Sequence, residues 1–548
     1  FLTLAMGVTM LAGCGNSSRQ QTGEGNTGGR HCRIGSRQRE TPTLTFFDKN
    51  SGSKQFDDPV ALELMKRTGI NIEVVNPTGD PAEKLALMLA GKDYPDIVLM
   101  DRGSDIVNKY IEAGALVNLT DYLDQMPNVT EMYGDTLKKT RWTDGQNYYL
   151  SNWYGMDPDP VNGFILRYDI MCELVGKDRA DSDEPFTTSE MMDIFRQYKE
   201  KYPEVDGKET FALTLADEQD SKNAILGMYG MKTYYEKDGQ LYWDIRDPRY
   251  LEAMHFINGV HQEGLLEKEW VSNNDELFNQ KLATGNILGY MGAYWNAWTA
   301  NSSLTSTVGE DANYLAYKVV PDGYDADKTT LGGRSSLGWD AIAVTNNCKN
   351  LDAALKFIDY CASQEGQDLL LWGIEGKDWT KDGDTYVPNE EVLDGLQNNL
   401  EKTREETGIT RWTWFVRNAS THKDGSPCRM QMSRKDITAT WAEKNLTNTY
   451  WDTAEFDNLI PTGNDPVALK AQKVQDIIKQ AYPKMINAAS DEELDKIYNQ
   501  MIADCDAAGM EEEKRKSMKI TRRVWLYGMR KTERARKLNK ENNRKRGL

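Results

Sequence analysis

Histidine is scarce: the chain has four, and none stands at metal-ligand spacing from another. Its seven cysteines, Cys14, Cys32, Cys172, Cys348, Cys361, Cys428 and Cys505, are spaced widely and irregularly without a CxxC pair. Neither a zinc site nor a disulfide framework follows from them, and pairing is not deducible. Also missing are a GxSxG, an HExxH, a P-loop and a GxGxxG in strand–turn–helix context. No catalytic residue, metal or cofactor is therefore implied. Acidic pairs abound among the 85 Asp and Glu, so a glycosidase pair can be neither picked out nor excluded. Basic charge is in deficit: 66 Lys and Arg leave a net charge of −19. That balance argues against nucleic acid as a partner and disfavours a polyanionic ligand, unless a local basic pocket overrides it. Long apolar runs are absent but for Phe1–Gly13, too short to span a bilayer as a mature helix. With a mean hydropathy of −0.67, a polytopic membrane protein is excluded.

What is there begins with that run, which reads as the h-region of a signal peptide. It closes on Leu11-Ala12-Gly13-Cys14, which resembles the bacterial lipobox and makes the Cys14 thiol the expected lipid acceptor. Residues 1–14 are thus a lipoprotein signal peptide. Residues 15–40, rich in Gly, Ser, Asn and Thr, form a flexible tether. The tether carries a basic insert, Arg30–Arg39, and the chain ends in a basic tail, 511–548. Two readings of these basic pieces stay open: a membrane-surface or wall-polymer anchor, or an error in the ends of the sequence.

The folded part starts near Thr41. Thr43–Phe47, Ile70–Val75 and Asp96–Met100 alternate or run apolar like strands, and Pro59–Thr68 and Pro81–Ala90 are amphipathic helices stopped by Gly69 and Gly91. Strands alternating with helices of this length imply βαβ units and a parallel sheet. Ligands of such sheets sit beyond the C-terminal ends of the strands, which places Asp48–Ser53 and Asp101–Ser104 at a cleft. Asp491–Ile502 has helical apolar spacing, and Ser490 with Glu493 reads as a capping box.

Several blocks share one order with a known family. Leu89–Ile97, Ile111–Leu123, Phe278–Trp295, Gly338–Asn350, Ala353–Gln367 and Gly373–Trp379 resemble, in sequence, the blocks of the family 1 extracellular solute-binding proteins, the maltodextrin-binding-protein class. Lys281 stands where that family usually has glycine, and Leu351 where it usually has proline. The resemblance implies an α/β, two-lobed periplasmic-binding-protein-like fold with a hinge and an interlobe cleft. The lobes are expected at 41–160 with 340–400 returning, and at 161–339 with 400–510 returning. It further implies a monomer outside the cell membrane, held by its lipid, that takes a carbohydrate to the transmembrane subunits of an ABC permease.

A sugar offers an apolar C–H face and a rim of hydroxyls, matched by flat rings and by planar amide, carboxylate and guanidinium groups. The chain has 14 Trp and 26 Tyr, several in Gly-, Asn- or Asp-rich loops where binding residues concentrate. Trp153 and Tyr154 lie near the expected crossover. Trp295, Asn296 and Trp298 follow a strand and match a family block. Arg334, Trp339 and Asp340 open the returning strand, and Asp48, Lys49 and Asp101 lie at strand ends of the first lobe. These eleven are the candidate ligand contacts, with Trp372, Trp412 and Trp414 as alternates, each against the simpler reading of a tryptophan used for packing. Two other functions stay in view: a surface polysaccharide-degrading enzyme or glycan-binding scaffold, and a binder of peptides or another solute in the same fold.

Overall fold

Thirteen strands position everything of interest. In chain order they are β1 (Thr43–Asp48), β2 (Asn71–Val75), β3 (Ile97–Asp101), β4 (Leu150–Ser151), β5 (Trp153–Tyr154), β6 (Asn162–Arg167) and β7 (Phe211–Leu215). They continue with β8 (Ile287–Ala293), β9 (Tyr314–Tyr317), β10 (Gly332–Arg334), β11 (Asp340–Val344), β12 (Val416–Arg417) and β13 (Tyr450–Asp452). The computed structural model describes residues 41–518 except 53, 143, 155–160, 217, 233, 238–239, 413, 415, 418–425, 435 and 455–465. The signal segment with Cys14, the tether and most of the basic tail lie outside the described residues.

The first sheet has the order β2-β1-β3-β11-β4. β1, β2 and β3 are parallel, and β11 runs against β3 with Asp340 opposite Asp101. The helices between them form for local reasons. In Pro59–Thr68 the Asp58 side chain accepts from the Ala61 N–H, Pro59 occupies the first turn, and Gly69 ends the helix at φ 67°. Pro81–Gly91 is capped in the same way by Asp80. Here the left-handed residue is Lys92 at φ 53°, one place beyond the glycine expected to stop the helix.

Period-two alternation splits the strands between two cores. Phe46, Ile97, Leu99, Ile342 and Val344 face one core, and Phe47, Val98, Met100, Ala341 and Ala343 face the other. The second sheet has the order β7-β8-β6-β9, with β6 antiparallel to both β8 and β9. It carries its own core, shared with helices Pro248–Gln262, Ala468–Ile486 and Asp491–Ala508. Ser490 caps the last of these through the Glu493 N–H, but the Glu493 carboxylate takes the Ala489 N–H, not that of Ser490, so the expected capping box is half made.

The chain passes between the two sheets after β4, through β10, and between Met430 and Ala442. That last passage is later than the residue 400 expected from the sequence. Ile409, Trp412, Trp414 and Met430 are buried in the first sheet's core. The indole N–H groups of Trp412 and Trp414 find carboxylates there, on Asp58 and Asp48. A buried indole needs such a partner. At the crossings β5 pairs in parallel with β12, and β10 with β13.

Candidate functional site

The end of β1 and the start of β11 meet at the edge from which the chain crosses. Asp340 is fully buried. Lys49 Nζ lies 2.6 Å from one of its carboxylate oxygens. Asn50 Nδ2 and Asn152 Nδ2 donate to the other at 3.0 and 2.8 Å. Asp48, also buried, accepts from Trp414 Nε1 at 3.0 Å and from the Asn50 N–H at 2.8 Å. Burial pushes the Asp48 carboxyl up to about 6, helped by the nearby Asp340 charge. Burial raises Asp340 as well, against the pull of Lys49. These two carboxylates were expected to meet ligand directly. The structure corrects this: their oxygens are spent holding strand ends together.

What they hold is a tryptophan. Trp339, between Gly338 and Asp340, is 48% exposed. Its carbonyl accepts from the Arg102 N–H at 2.8 Å, and Arg102 Nε and Nη2 both donate to the Gly338 carbonyl, at 3.0 and 2.6 Å. Gly338 takes φ 64°, a conformation that a side chain would strain. Trp339 is thus an exposed ring on a backbone fixed from both sides. Asp101, paired through the backbone with Asp340, is exposed and accepts from the Gly103 N–H.

Across the crossing, the end of β8 gives Trp295, half-buried and edge-on to Tyr294 with centroids 4.9 Å apart. The Arg334 guanidinium lies 5.5 Å from the Trp295 ring centroid. Asn296 closes its own turn, its Oδ1 accepting from the Ala293 N–H at 2.7 Å. Trp298 is 49% exposed, with its indole N–H given to Thr438 Oγ1 at 3.0 Å. The structure therefore brings Trp295 and Arg334 into contact and joins Lys49 to Asp340 beneath Trp339. The backbone of Trp153 and Tyr154 is β5 at a crossing, while their side chains lie outside what is described. The alternates Trp372, Trp412 and Trp414 are buried core residues and are corrected to packing roles.

Sequence reasoning missed Arg102, Asn152 and Asp452. The first two lay inside loops already placed at the cleft or crossover. Nothing local marks Asp452, whose carboxylate accepts from the Ser336 N–H and Oγ–H at 3.0 and 2.9 Å and lies 3.2 Å from Lys139 Nζ.

Two sheets, three crossings and exposed rings at the crossing edge describe a hinged binding protein, and comparison with known proteins agrees. The family model of the bacterial extracellular solute-binding proteins matches residues 60–372. The chain belongs to that family. Its members are extracytoplasmic binding proteins. Lipoprotein LipO of Bacillus subtilis (strain 168) is 22% identical over 493 residues, covering 84% of this chain and 90% of LipO. The fructooligosaccharide ABC transporter substrate-binding protein FusA of Streptococcus pneumoniae serotype 4 (strain ATCC BAA-334 / TIGR4) is 23% identical over 359 residues, 62% of this chain and 64% of FusA. Among solved structures, the alginate-binding protein AlgQ2 without calcium ion shares the fold. Its TM-score is 0.66 at 17% identity, over 88% of this chain and 98% of AlgQ2.

Proposed function

We propose that this protein is the carbohydrate-binding subunit of an ABC importer, lipid-anchored through Cys14 to the outer face of the cell membrane, and that its ligand is an oligosaccharide. The observation that carries the reading is Trp339, a ring nearly half exposed on a backbone clamped by Arg102 and by the Asp340 network. A flat ring held rigid is suited to stack on the apolar face of a sugar, and fixing it beforehand lowers the ordering cost of binding. Trp298 and Trp295 supply further ring surface from the other side of the crossing. The name of FusA supports a sugar ligand and an ABC permease partner. Ligand favours the closed arrangement of the two sheets, and the closed form docks on the permease.

The test is intrinsic tryptophan fluorescence of the protein titrated with a panel of oligosaccharides, with product analysis of the same samples. A saturable shift with intact sugar is expected. Shortened glycans would make the protein an enzyme, and peptide binding without sugar binding would make it a carrier of another solute.

A further inference from the structure

Arg334 differs from six other buried or half-buried arginines of the chain. Arg67, Arg167, Arg179, Arg249, Arg404 and Arg411 are buried or half-buried, and each has a carboxylate within 2.6 to 3.9 Å. That is what a chain with 85 acidic residues allows, and what the cost of desolvating a guanidinium demands. Arg334 is half-buried too, yet among the described residues it meets no carboxylate, only the Trp295 ring.

The carboxylate nearest in register is Asp452, opposite Arg334 on the paired strand. It is already spent on Ser336, the Ala454 N–H and Lys139. Lys139 pairs with Asp452, and Lys232 sits 4.7 Å from the ring of Trp451, the residue before Asp452. A guanidinium beside an indole can still present its planar fork of donors to a carboxylate in two parallel hydrogen bonds.

We infer that the missing counter-charge arrives with the ligand: the oligosaccharide carries a carboxylate, as a uronic or other sugar acid does, and Arg334 reads it while Trp295 backs the guanidinium. This rests on the carbohydrate reading and narrows it to acidic sugars. The net charge of −19 does not oppose it, because screening confines charge effects to about 8–10 Å at physiological salt.

The experiment uses tetramers of mannuronate, galacturonate and glucuronate-containing glycans. Each is paired with its carboxyl-reduced neutral counterpart, and binding is measured by calorimetry at two salt concentrations. At least one acid is expected to bind about tenfold or more tighter than its neutral twin, a charge-assisted bond's contribution. Arg334→Gln should bring the pair to within about twofold while leaving the melting temperature unchanged, and Arg334→Lys should restore part of the preference. Equal or tighter binding of the neutral twins overturns the inference and leaves the carbohydrate reading standing. So does a preference for acid that survives in Arg334→Gln, because Arg334 is then a structural brace on Trp295. Failure of every glycan, acidic and neutral, overturns both.

Discussion

The Asp48 carboxyl makes a quantitative prediction about pH. It is buried, accepts from Trp414 Nε1 and the Asn50 N–H, and is pushed from 3.8 up to about 6. Because the folded value lies above the unfolded one, the folded state holds this proton more tightly. The stabilisation is complete below about 3.8 and is lost as pH rises through about 6. Each pKa step is worth 1.36 kcal/mol, so the loss amounts to about 3 kcal/mol by neutral pH. Asp48→Asn removes the titration and keeps the shape. Its amide turns one acceptor into a donor facing Trp414 or Asn50, which costs stability by the same amount at every pH.

The test is therefore the difference between the two proteins, from urea unfolding followed by far-UV circular dichroism at a series of pH values. The variant should gain on the wild type by about 2–3 kcal/mol between pH 4 and 7, with the change spread across about pH 4–6. Asp340→Asn should move that change to lower pH, because the Asp340 charge raises Asp48. A difference flat across this range, or running the other way, would refute the argument that burial controls this carboxyl.

Other outcomes follow from the same contacts. Trp412→Ala should cost about 3–5 kcal/mol in urea unfolding, since it empties a fully buried site and removes the indole donor from Asp58. Trp339→Ala should leave unfolding within about 0.5 kcal/mol, because the ring is half exposed, yet weaken sugar binding in the fluorescence titration by about tenfold or more. Gly289→Val should unfold at lower urea by about 1–3 kcal/mol or more. A Cβ there would stand 2.3 Å from Leu166 Cδ2 and 2.5 Å from the Ile165 carbonyl in the middle of β8.

The sequence by itself determined whatever is written in neighbouring residues. Pro59–Thr68 was legible to the residue because its cap, its N-terminal proline, its apolar stripe and its terminal glycine all lie within a dozen positions. The first three strands were legible because alternation is a local pattern, and the ordered blocks pointed to the family. The exposed rings Trp298 and Trp339 were singled out from their loops.

Only the tertiary structure decided which polar groups would be free. Asp48 and Asp340 stand at the expected strand ends, but residues 366 and 290 positions away respectively, Trp414 and Asn50, bind them and take them out of contact with solvent. The buried tryptophans 412 and 414 look like loop tryptophans in sequence, because burial depends on a core assembled from distant segments. Arg334 shows the same limit from the other side. Its residue type and strand end were plain, but that it meets no carboxylate among the described residues follows only from their tertiary placement, and no local pattern encodes that. Hydrophobic periodicity and helix caps act over one or two turns, whereas the matching of charges is settled across the whole fold.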